Sequence, residues 1–167
     1  MTAPVEPART LAGTFNFRVT LSRAGGGSEV PKLGDGGFQE CTGLEVSMDV
    51  QELNEGGRND GVIRLVGRGK YGPITLKRGM LAPADGTVRN ELWAWVQQIL
   101  SGERPVRRYD GVIEVLDGAS ARTLATWVFD RGLPQKISGP QLNAKSGEIA
   151  IEELTILHEG LRLQGNG

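Results

Sequence analysis

Residues 38–53 read FQECTGLEVSMDVQEL, and their alternation decides the fold class. Successive side chains of a strand point to opposite sides. Leu44, Val46, Met48 and Val50 therefore share one face, and Glu45, Ser47, Asp49 and Gln51 share the other, which is acidic and wet. The turn-rich NEGGRNDG (54–61) follows, and Val62 to Arg68 returns as a partner strand. Together they predict a long hairpin, and a long hairpin has edges that something must pair or guard.

The same period extends outward from this hairpin. From Thr14 to Ser22, Phe15, Phe17, Val19 and Leu21 alternate with Asn16, Arg18 and Thr20, giving a first half-buried strand. Further strands fall near 111–116, 122–130 and 133–138. The last, 148–159, has Ile149 and Ile151 at odd positions and Leu154 and Ile156 at even ones. A β-bulge at Glu152 and Glu153 would produce that change of parity and let the strand pass from one sheet to another. One helix stands out at Thr87 to Leu100: Val88, Leu92, Trp95, Val96 and Ile99 make an apolar stripe, Thr87 serves as N-cap, and Gly102 with Pro105 ends it. The expected core comprises Phe15, Phe17, Val19, Leu21, Leu44, Val46, Trp95, Val96, Trp127, Ile149, Ile151 and Ile156.

Bulk properties agree with a mainly β, antiparallel sandwich or barrel-like domain carrying one flanking helix. The 167 residues fit one domain, and 25 glycines, about twice the ~7% of an average chain, imply many tight turns. We divide the chain into an N-terminal arm (1–13), a single domain (14–163) with a Gly-rich excursion at 24–37, and a short tail (164–167). Nineteen basic and 20 acidic residues nearly cancel, so no global field draws in nucleic acid or an anionic membrane. The start has no signal-peptide pattern and no run reaches the ~18 apolar residues of a membrane span, so we expect a soluble cytoplasmic product without a membrane anchor.

The sequence offers little chemistry. Gly67, Gly69 and Gly72 satisfy G-x-G-x-x-G, but Pro73 and a strand-like ITLK follow where a dinucleotide fold needs a helix. His158 is the single imidazole and Cys41 the single thiol, which excludes an intramolecular disulfide and leaves at most one Cys–His or Ser–His pair for catalysis. One of each is too few for a metal site. We expect no catalytic, cofactor or metal residues. The basic group Arg64, Arg68, Lys70, Lys77 and Arg78 has only Tyr71 nearby for stacking, so solvated strand ends or bridges to another subunit explain it better than nucleic acid.

The order of segments carries more. FQECTGLEV (38–46), ELNEGG (52–57), KYGPITLKRG (70–79), LWAW (92–95), RRYDGVIEVLD (107–117), TWVF (126–129) and SGPQLNAKSGEIAIEELTILHEGL (138–161) closely resemble the tail-tube proteins of contractile phages and of phage-tail-like injection particles. The resemblance spans Thr14 to Leu163. It implies a hexameric tail-tube fold whose rings stack head to tail into a hollow inner tube, with strands of neighbouring subunits continuous around the lumen. Ring closure would pair the edges that a monomer leaves open. Head-to-tail stacking is the kind of contact that propagates a filament.

On this resemblance the implied partners are other copies of the chain, a sheath protein, baseplate, spike and tube-terminating proteins, and a luminal cargo of protein or DNA. The implied setting is a phage tail or tail-like particle, with the chain made in the bacterial cytoplasm. Lys70, Tyr71, Lys77 and Arg78 are then expected at a subunit boundary, facing acidic residues of a neighbour, and Glu45, Ser47, Asp49 and Gln51 are expected to face the lumen. Alternatives are a ring-forming effector carrier of a type VI secretion-like system, a specialised ring at the baseplate end, and an enzyme built on His158.

Overall fold

In the computed structural model, the described residues are 13, 16–26, 32–33, 37–53, 56–57, 61–80, 86, 88–118, 122–145 and 147–165. Most of the arm, much of the 24–37 excursion, Phe15 and Thr87 lie outside them. The elements run β1 (Phe17–Arg23), β2 (Phe38–Thr42), β3 (Val46–Leu53), β4 (Ile63–Tyr71), β5 (Ile74–Gly79), α1 (Glu91–Leu100), β6 (Tyr109–Leu116), β7 (Thr123–Ser138), β8 (Ile151–Leu157) and β9 (Gly160–Gln164). The fold is mainly β, with antiparallel sheets and one helix among the described residues.

The larger sheet has the order β1-β6-β7-β8-β5-β2, with β9 also paired to β7. Its inward rows follow the period read from the sequence: Val19 and Leu21 on β1, Ile74 and Leu76 on β5, Ile113 on β6, Phe129 on β7, Leu154 and Ile156 on β8. Leu92 and Trp95 of α1 complete the core, and the Trp95 indole N–H donates to the Arg107 carbonyl at 2.9 Å. The Trp95 and Tyr109 rings meet edge to face, 4.8 Å apart. The helix starts three residues later than its stripe predicts, with Asn90 rather than Thr87 at the N-cap, and stops where Gly102 takes φ +86°.

The bend between sheets falls on a different strand from the expected one. β7 is continuous across the two short strands anticipated at 122–130 and 133–138. Residues up to Gly132 pair with β6, and Leu133 to Ser138 pair with β8. At the junction Arg131 adopts φ +53°, and its N–H donates to Asp110 Oδ1 at 2.7 Å, which supports a conformation that L residues seldom take.

β8 needs no bulge. It pairs in unbroken register with β5 from Ile151 to Ile156, and its inward positions are Glu152, Leu154 and Ile156. A carboxylate occupies the position where the apolar pattern loses its parity. Ile149 and Ile151, expected in the core, are instead exposed at 76% and 37%, and Val46 joins them at 56%. Trp127 and Leu44 pack against the core but are only half buried.

Candidate assembly surface

The predicted hairpin is a single ribbon broken in the middle. β2 pairs with β5 down to Thr42↔Thr75, and β3 pairs with β4 from Val46↔Tyr71 onward. Residues 43–45 and 72–73 form the break. Two glycines permit it. Gly43 has φ +88°, and a Cβ there would fall on the Pro73 carbonyl, while a Cβ on Gly72 would run into the Glu45 side chain. Before the break the ribbon belongs to the main sheet; beyond it β3 and β4 form a separate two-stranded sheet paired only with each other.

Every residue of β3 is exposed. Between Met48↔Gly69 and Val50↔Val66, Gly67 and Arg68 stand opposite Asp49 alone, a bulge that moves Val66 onto the face of Val46, Met48, Val50 and Tyr71. The exposures on this face are 56% for Val46, 63% for Met48, 58% for Val50 and 81% for Val66. The other face carries Ser47, Asp49 and Gln51 beside Lys70 and Leu65. A lone two-stranded ribbon is marginal in water, and a contiguous apolar row on it is the mark of a surface that another molecule covers.

The basic residues separate into two kinds. Lys70 forms an ion pair with Asp49 at 2.8 Å on the exposed ribbon, so the polar face is less acidic than its β3 sequence suggests. Tyr71 is 44% exposed at the ribbon's root. Lys77 reaches Glu40 at 2.8 Å and Glu153 at 3.8 Å, and the hydrogen bond to Glu40 is the main reason that its pKa is raised. Arg78 is sealed inside the chain, paired with Glu152 and lying 3.7 Å from Glu91. The acids expected from a neighbouring subunit for Lys77 and Arg78 are supplied by the chain itself, and Arg78 is too deeply covered to reach a neighbour. Sequence reasoning missed Glu152 as a partner; the sign was its place in the inward row of β8.

Neither candidate for catalysis is poised. The two His158 ring nitrogens each lie 3.0 Å from a backbone carbonyl, of Gly160 and Gly72. Burial pushes the Cys41 thiol up to about 11, away from a reactive thiolate. Among the described residues no three metal-ligating side chains gather.

A tail-tube family model, described as T4-like virus tail tube protein gp19, matches residues 13–162. The chain belongs to that family. It is a structural family, and this tail-tube chain is not an enzyme. No curated protein is significantly similar to it in sequence. Among solved structures, it resembles a chain in the anti-feeding prophage baseplate with 23% identity and a TM-score of 0.77, covering 95% of this chain and 98% of that one. A chain in an extended sheath–tube complex of an extracellular contractile injection system matches with 24% identity and a TM-score of 0.72, covering 92% and 91%. A type six secretion system protein shares 7% identity at a TM-score of 0.51, covering 89% and 83%. These likenesses place the tail-tube chain in one fold with those chains.

Proposed function

We propose that this tail-tube subunit builds its conduit as stacked hexameric rings, with the β3–β4 ribbon as the principal contact between copies. The observation that carries the reading is the exposed apolar face of Val46, Met48, Val50 and Val66, held clear of the main sheet by the break at Gly43 and Gly72. Burying such a face on another copy removes apolar area from water at roughly 25 cal/mol per Å² and pairs open strand edges as well. Lys70 and Tyr71, at the root of the ribbon, sit at the subunit boundary in this arrangement. The row Glu45, Ser47, Asp49 and Gln51 turns toward the lumen, where a polar wall lets protein or DNA cargo slide without sticking. A sheath outside and baseplate and terminating proteins at the ends complete the set of partners.

Electron microscopy of the purified chain across a concentration series, with mass measured in solution, tests this. Six-fold rings or hollow tubes are the expected outcome. A monomer that persists at the highest concentration, even after addition of preformed tube ends, would overturn self-assembly through this ribbon.

A further inference from the structure

His158 sits between β8 and β9, half buried, with the Tyr71 ring 5.4 Å away on one side and the Phe129 ring 5.6 Å away on another. Tyr71 ends β4 at the root of the exposed ribbon, and Phe129 is fully buried in the core. The imidazole thus bridges the core to the root. Its Nδ1 lies 3.0 Å from the Gly160 carbonyl oxygen, and its Nε2 lies 3.0 Å from the Gly72 carbonyl oxygen. Gly72 is one of the residues at which the ribbon leaves the main sheet.

Two carbonyl oxygens are two acceptors. A neutral imidazole carries one N–H, so its second nitrogen would turn a lone pair toward an oxygen lone pair. Only the doubly protonated ring donates to both. The charged groups on the surrounding elements are otherwise engaged: Asp130 of β7 with Arg162 of β9, and Glu159 of the β8–β9 turn with Arg131 and Arg108. Glu45 lies beside Gly72, and the Tyr71 phenol is the other titratable group at the root.

We propose that His158 is a proton-operated latch on the ribbon. With both nitrogens protonated the ring ties the Gly72 carbonyl to the Gly160 carbonyl and fixes the direction in which β3 and β4 leave the sheet. When the ring gives one proton to water, one carbonyl loses its donor and the root swings more freely about Gly43 and Gly72. The latch belongs to the isolated chain; only its consequence, tube assembly that responds to pH, rests on the ribbon being the contact between copies.

Hydrogen exchange at the amides of residues 70–72, 74 and 75, corrected for the intrinsic pH dependence of exchange and measured on dilute monomer between about pH 5 and pH 8, tests the latch. Protection should fall about tenfold as the ring loses its proton, the effect of one charge-assisted hydrogen bond. In His158→Gln the step should vanish. Equal protection across the range, or the same step in the variant, would overturn the proposal. Should His158→Gln fail to fold, the ring ¹⁵N shifts of the unmodified chain decide. Both nitrogens must be protonated while the root is protected, and one must lose its proton as protection falls; titration with no matching change overturns the latch. Because the sample is monomeric, a chain that never forms tubes would still show the latch, so the two failures are distinguishable.

Discussion

Arg78 on β5 and Glu152 on β8 stand directly opposite each other and form an ion pair of which 5% and 2% of the residues' surfaces remain exposed. The Trp93 indole N–H donates to the second carboxylate oxygen of Glu152 at 3.0 Å, and the Arg78 guanidinium lies over the Phe38 ring. One charged pair thereby joins β5, β8, β2 and the helix α1. Removing Arg78 leaves Glu152 buried without a counter-charge, and removing Glu152 leaves Arg78 only the more distant Glu91 at 3.7 Å, whereas replacing both with apolar residues removes the problem as well as the bond.

We therefore expect Arg78→Met alone, or Glu152→Leu alone, to cost roughly 3 to 5 kcal/mol in urea unfolding. The double replacement should recover most of that loss. Charge reversal at Arg78 should likewise damage the monomer and not merely its assembly. Additive losses in the double variant would show that the pair is not the source of the effect.

The positions that the sequence disclosed and those it concealed differ for a physical reason. Strands with one wet face were legible, because Val19 and Leu21, or Leu154 and Ile156, keep the period of two that burial on one side imposes. The ribbon was legible as a hairpin, but Val46 was placed in the core because apolar character alone does not say whether its cover is the same chain or another. Ile149 and Ile151 were misplaced for the same reason. Glu152 went unseen because its place in the inward row of β8 marks it as buried only once its partner, 74 positions away, is known. The bend of β7 at Arg131 rests on a hydrogen bond to Asp110, equally remote. The family, by contrast, was legible, since it lies in the order of segments along nearly the whole chain.

Gly43 makes the break in the ribbon testable. Its φ of +88° and the place where a Cβ would strike the Pro73 carbonyl both oppose any side chain. Gly43→Ala should destabilise the chain by about 1 to 3 kcal/mol, read from chemical denaturation. A stability equal to that of the original chain would mean that the ribbon can leave the sheet at a different angle.

Cys41 gives a pH dependence with a definite sign. Burial raises its pKa from 9.0 to about 11, so the folded chain keeps the thiol proton where the unfolded chain loses it. Between those two values the native state binds more protons, and stability from this group falls as pH rises. It is fully present below about pH 9. Thiol-reagent labelling at about pH 8 should run about a hundredfold slower in the folded chain than in urea, from ionisation alone. Equal rates would show an open, ordinary thiol.

The apolar row of the ribbon carries the functional reading, and it can be changed without touching the core. Val50 and Val66 stand opposite each other and are 58% and 81% exposed. Aspartate at both places puts like charges face to face on the surface that copies would share, where burying either costs several kcal/mol. In the monomer the same residues meet water, so Val50→Asp with Val66→Asp should shift unfolding by little more than about 0.5 kcal/mol for each substitution. Sedimentation and electron microscopy should then find a folded monomer at concentrations where the original chain forms rings or tubes. Tubes of normal length from the double variant would place the contact between copies elsewhere on the molecule, and the edges β1, β2 and β9 would be the next surfaces to alter.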